Sequence, residues 1–200
     1  MKIWPWLAWS VCACGLLPAV SVAQTTNAPK AGEIAPPFQL AKIIEGPALK
    51  DVSWQSLKGK VVVLEFWNIQ CVPCIEAIPH LNEMVDHFKE KPVAFLLVSD
   101  DPEDRLRVFL KQHPIHTWLA LDGPDNATER AFRLHGYGLV VVIDAEGKVA
   151  GVTLPAFLKT EHLDRVLAGQ PAGLPALNFA PAASAAPVVN LTGISSGESK

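Results

Sequence analysis

Apolar and polar positions follow two rhythms along this chain. Continuous apolar runs at residues 61–67, 93–98 and 139–143 are rich in valine and predict strands covered on both faces. After the first of them, Ile75, Ile78, Leu81, Met84, Val85 and Phe88 fall at helical spacing. They predict a helix from about Val72 to Lys89, with a kink at the internal Pro79. Further strands are expected at 38–44, 117–121 and 148–154, the last entered through the turn Asp144-Ala145-Glu146-Gly147. Shorter helices are expected at 53–57, 125–134 and 160–167, with Thr160 as N-cap and Gly169 just past the end. Another should open at Asp100-Asp101-Pro102 and run to about His113, with Asp101 as N-cap and Pro102 at N1. Strands alternating with helices, then a hairpin and a final helix, predict an α/β sheet with a late antiparallel edge.

The ends have a different character. Lys2, the apolar stretch 3–17 and the small-x-small run Ser21-Val22-Ala23 read as a signal peptide over residues 1–23. The alternative is an uncleaved membrane anchor through residues 3–17. A polar leader follows at 24–30, a single domain at 31–168, and an Ala/Pro/Ser-rich disordered tail or linker at 169–200. The expected location is outside the cytoplasm, and periplasmic if the source is bacterial. Half of the residues are hydrophobic and 18% are charged, which suits an ordinary core. The net charge is −3 and there is no basic run, so nucleic-acid binding has no electrostatic footprint.

Of the four cysteines, Cys12 and Cys14 would leave with the signal. Cys71 and Cys74 remain, in Cys71-Val72-Pro73-Cys74, where a strand gives way to a helix. Unpaired N–H groups and the helix dipole favour a negative charge on the first sulfur, and thiolate is the species that attacks disulfides. Cys71 is therefore the candidate nucleophile, and Cys74, one turn in, the resolving thiol. Pro73 suits the first turn, where no N–H is required, and stiffens the dithiol. A static disulfide and half of a zinc site are the alternatives. Glu65 interrupts the apolar run 61–67. It either faces water at a strand edge or is buried with a raised pKa, poised to move a proton.

The motifs together resemble the TlpA/ResA-like branch of the thioredoxin superfamily. The resemblance is carried by Gly32-Glu33-Ile34-Ala35-Pro36-Pro37-Phe38, by Leu57-Lys58-Gly59-Lys60 leading into 61–67, and by Cys71-Val72-Pro73-Cys74 with Pro79 beyond it. Ala131-Phe132 through Asp144-Ala145-Glu146-Gly147-Lys148 completes it. The resemblance implies a thioredoxin-like α/β fold: a central mixed sheet flanked by helices, with an N-terminal extension of the TlpA type. It implies an exported thiol–disulfide oxidoreductase, most simply a reductant, whose redox group is the Cys71–Cys74 disulfide and which needs no other cofactor or metal. Its partners would be exported protein thiols and disulfides and an upstream electron donor, with membrane contact only through an uncleaved N-terminus. Glu65 matches the family's buried acid beneath the disulfide.

The resemblance also places Trp67, Pro73, Tyr137, Gly138 and Leu139 at the substrate site, plain core burial being the alternative for Trp67, with an extended peptide lying beside Gly138 and residues 139–143. Three positions depart from the family pattern. Gln70 replaces a tryptophan, Ala77 replaces an acid with Glu76 one place early, and Gly138 stands where a cis-proline is usual. A cis bond before a non-proline residue costs roughly 3–4 kcal/mol, so Tyr137–Gly138 is expected to be trans. Gly138 motivates an alternative, a binding or copper-carrying module with weak redox activity. Asn68 occupies the place where a peroxiredoxin needs threonine, which argues against peroxidase chemistry. His113 and His116 have metal-like spacing, although Pro114 between them suggests a helix end.

Overall fold

The computed structural model describes residues 28–47, 52–134, 136–175 and 177 of the chain. The expected signal, the start of the leader and residues 178–200 lie outside the described residues. No helix among the described residues is long and apolar enough to cross a membrane.

Six strands form one mixed sheet. They are β1 (Leu40–Glu45), β2 (Val61–Phe66), β3 (Val93–Ser99), β4 (Trp118–Asp122), β5 (Leu139–Ile143) and β6 (Val149–Thr153). The order across the sheet is β1-β4-β3-β2-β5-β6. The strands β2, β3 and β4 run parallel, while β1 and the β5–β6 hairpin pair antiparallel at the two sides. The helices are α1 (Val72–Phe88), α2 (Glu103–Leu110), α3 (Ala127–Ala131) and α4 (Thr160–Leu167), with a 3-10 turn at Pro155–Phe157. This is the thioredoxin-like α/β fold.

The period of two along each strand sorts its side chains into two cores. Val61, Val63 and Trp67 face one side, where Cys74, Ile78, Leu81, Met84 and Phe88 of α1 cover them together with Leu106 of α2 and Leu163 of α4. Val62, Leu64 and Phe66 face the other, against Phe132, Trp118, Leu57 and the alternate residues of β5. All six residues of β2 are buried, and so are all five of β5. Each large apolar side chain so buried contributes about 1.5–3 kcal/mol.

The N-terminal extension lies against the β5–β6 hairpin: Gly32 N–H donates to Val149 O (2.8 Å) and Ala35 N–H to Gly147 O (2.9 Å). Past α4, the chain remains packed beyond residue 168. Ala172 is buried, Leu174 touches Gly151, and Arg165 Nε donates to Pro171 O.

Several local expectations are corrected. Residues 53–57 form turns rather than a helix, because the Ser53 and Ser56 hydroxyls bond local backbone groups in competition with helical ones. The helix expected over 100–113 is confined to α2, and Pro102, not Asp101, stands at its N-cap position. The helix expected over 125–134 shrinks to α3, since Asp125, Asn126 and Arg133 all take positive φ. Thr160 is the first residue of α4 and not its cap; the His162 ring accepts the Lys159 N–H instead.

With no capping bond from Asn126, α3 is capped by Asp122 at the end of β4. Its carboxylate accepts N–H bonds from Gly123 (2.6 Å), Thr128 (2.8 Å) and Glu129 (3.1 Å). Asp122→Ala is expected to lower the unfolding free energy by about 1–2 kcal/mol. A urea melt would read this as a lower midpoint with an unchanged slope.

Candidate functional site

Strand β2 leaves the sheet between β3 and β5, and the chain turns through residues 67–70 into α1. Cys71 is the residue before the helix, with extended backbone (φ −78°, ψ 90°), and its carbonyl accepts the N–H groups of Cys74 and Ile75, both at 3.0 Å. The first turn carries no acidic side chain to offset the positive end of the helix dipole. Cys71 and Cys74 are joined in a disulfide, with Cα atoms 5.3 Å apart. Cys71 is half-buried, whereas Cys74 is only 2% exposed. The accessible sulfur is thus at the helix start and the covered one a turn deeper.

Glu65 shares the face of β2 that carries Val61, Val63 and Trp67, the face covered by α1 and Cys74. Its neighbours across the sheet are Leu97 and Val140, so it stands in an interior strand and not at an edge. Only 3% of it is exposed, and burial pushes its carboxyl up to about 8.

Gly138 faces the disulfide. A methyl group at its Cα would sit 3.4 Å from both sulfurs. Its φ is +80°, and its N–H donates to Phe66 O at 2.7 Å, which fixes it to the last residue of β2. Among the described residues no peptide bond is cis, so the Tyr137–Gly138 bond is trans. Pro73 and Val72 are exposed beside Cys71, and Tyr137 is 36% exposed.

Two of the residues expected to meet substrate do not offer a surface for it. Trp67 is 1% exposed and packs on Phe109, and Leu139 is 7% exposed within the second core. The Trp67 indole N–H has no partner among the described residues. The strand β5 is hydrogen-bonded to β2 on one side and β6 on the other, so an extended peptide beside residues 139–143 would not pair with its backbone. His113 stacks on Phe109 and His116 faces Asp86, so neither meets the cysteines. No group of three or more His, Cys, Asp or Glu side chains among the described residues is placed to hold a metal ion.

Three polar residues at this end escaped the sequence reading. Asp101 is buried and accepts the Ile69 N–H (2.8 Å) and the Ser99 hydroxyl (2.9 Å), so it holds the loop leading to Cys71. Asp100 accepts the Tyr137 phenol (2.5 Å). Asn68, weighed only against peroxidase chemistry, accepts the Gln70 N–H (3.0 Å). Their common signal was position: polar residues just past the carboxyl ends of buried parallel strands.

Glu65 makes stability depend on pH. Its unfolded carboxyl titrates near 4.5 and its folded one near 8. Between these values the folded state keeps a proton that the unfolded state has released. The resulting stability is full below pH 4.5 and is lost as pH rises through 8, by roughly 4–5 kcal/mol in all. Glu65→Gln should remove that slope, so that the variant gains on the parent protein as pH rises, in denaturation midpoints measured from pH 5 to 9.

Residues 31–152 match the AhpC/TSA family. The thiol-disulfide oxidoreductase ResA of Bacillus cereus is 36% identical over 92 residues, 46% of this chain and 51% of that protein. This chain therefore spans about half the length of that relative. ResA of Bacillus subtilis is 26% identical over 168 residues, covering 82% of this chain and 90% of that protein. Among solved structures, a Chlorobium tepidum chain provisionally named thiol:disulfide interchange protein DsbE superposes with a TM-score of 0.56. It is 29% identical, over 64% of this chain and 86% of that one.

Proposed function

Because this chain belongs to the AhpC/TSA family, in its TlpA/ResA-like branch, we propose that it is a thiol–disulfide oxidoreductase acting on exported proteins. The observation that carries this reading is the Cys71–Cys74 disulfide at the start of α1, one sulfur accessible and one covered. The ResA relatives bear the same activity in their names.

As a reductant, the reduced protein attacks a substrate disulfide with the Cys71 thiolate. A Cys71–substrate disulfide forms and the substrate's first sulfur leaves as a thiolate, which takes a proton. Cys74 then gives up its proton and attacks the Cys71 sulfur. The substrate's second thiol leaves, and the protein is left in the oxidised form described above. A dithiol donor must return two electrons and two protons for the next cycle. Glu65, under the deeper sulfur's face of the sheet, is the group that accepts or returns the proton of Cys74. Pro73 and Tyr137, with exposed Val72, border the sulfur that a substrate would meet, and the backbone of Gly138 closes the other side. The donor and the exported substrates are thiol proteins of the same compartment, and the N-terminal segment supplies the export signal.

Insulin reduction with a dithiol as donor tests the reading. The native protein should turn over, and Cys71→Ser should show no activity above the uncatalysed rate. Cys74→Ser should instead accumulate a mixed disulfide with substrate, visible as an added mass that a reductant removes. An active Cys71→Ser variant, or no turnover by the native protein, would leave a binding module as the better reading.

A further inference from the structure

Tyr137 stands between two glycines, and both have positive φ: +115° at Gly136 and +80° at Gly138. Conformations of this kind cost glycine little, and glycine also leaves a segment free to swing. Yet Gly138 faces the disulfide closely enough that a methyl group on its Cα would sit 3.4 Å from both sulfurs. A freely hinged Gly136-Tyr137-Gly138 segment would not hold that place. Two bonds do restrain it: Gly138 N–H to Phe66 O at 2.7 Å, and the Tyr137 phenol to Asp100 Oδ2 at 2.5 Å.

The second bond reaches across the site. Asp100 follows β3 directly. One aromatic side chain thereby ties the segment before β5 to the loop after β3. The neighbouring Asp101 fixes the β2–α1 loop independently through Ile69. The corner Ser99-Asp100-Asp101 is thus anchored, and Tyr137 is held to something that does not move.

We propose that Tyr137 is a positioning residue, latched by Asp100, that keeps Gly138 facing the disulfide and so sets the surface on which a protein substrate docks. The latch supplies through a side chain the restraint that two flanking glycines remove from the main chain. A phenol–carboxylate bond is charge-assisted and stronger than a neutral one, which suits a restraint acting at a solvent-exposed rim. The significance for docking rests on the redox reading above; the latch itself does not.

Two measurements on Tyr137→Phe, Asp100→Ala and the double variant test the proposal. The first is amide hydrogen exchange on the oxidised protein. The Gly138 amide should exchange about tenfold faster in each single variant, while the Leu64 and Val141 amides in the sheet interior keep native rates. The double variant should match the singles, because the two residues form one bond. The second is insulin reduction, where KM should rise about tenfold with kcat changed less than threefold. Unchanged exchange at Gly138, or equal acceleration throughout the sheet, would overturn the latch. Faster Gly138 exchange with an unchanged KM would overturn its role in docking. A native protein without turnover would instead remove the redox reading and leave the exchange result to decide the latch.

Discussion

Strand β2 is hydrogen-bonded along both edges and buried on both faces, and this confinement decides where the chemistry can lie. A strand so enclosed has one free direction, out through its carboxyl end. The chain leaves there and turns at once into α1, so the first helical N–H groups and the two sulfurs are set above the end of the sheet. The same confinement acts on Glu65. With β3 on one side and β5 on the other, its carboxyl has no route to water, and it keeps its proton up to about pH 8. Nucleophile placement and carboxyl titration are therefore two results of one buried strand.

The sheet holds its end still, but the loops around the disulfide depend on polar side chains. Asp101 binds Ile69, Asp100 binds Tyr137, and Asn68 binds Gln70. Each such bond is worth about 1 kcal/mol net, more where a carboxylate accepts. That is enough to order a loop and too little to make it as rigid as the sheet. Hydrophobic burial fixes the sulfurs' depth, and hydrogen bonds set the shape of the rim around them.

The same division explains what could be read from the chain. The runs that became β2, β3, β5 and α1 were legible because burial imposes a local period on sequence, and β5 was placed to the residue. The Cys71–Cys74 junction followed from those runs, whereas the burial of Glu65 was left open by them and favoured only by the resemblance. The reading failed where local hydrogen bonds overrode propensity, as at Ser53 and Ser56, or where left-handed residues shortened a helix, as at Asn126 and Arg133. It also failed for contacts that span sequence. Asp101 meets Ile69 from 32 residues away and Asp100 meets Tyr137 from 37, and neither separation leaves a periodic mark. Asp101 looked like a helix cap for that reason. How an extended peptide would sit beside 139–143 was not legible, because a strand's sequence does not say how many neighbours it has; β5 has two.

The raised titration of Glu65 bears on the direction of proton flow in the proposed reaction. A carboxyl that titrates near 8 is mostly protonated at pH 7, so in the oxidised protein it stands as an acid. When a donor thiolate attacks Cys71, Cys74 is expelled as a thiolate into a site that is 2% exposed. A buried anion there is costly, and water is not at hand to protonate it. The proton on Glu65 is a local remedy, and its transfer leaves the charge on the carboxylate in place of the sulfur. In the reverse half of the cycle that carboxylate is the base Cys74 needs. One buried acid can then serve both steps, because burial has raised its affinity for protons far above that of a carboxyl in water.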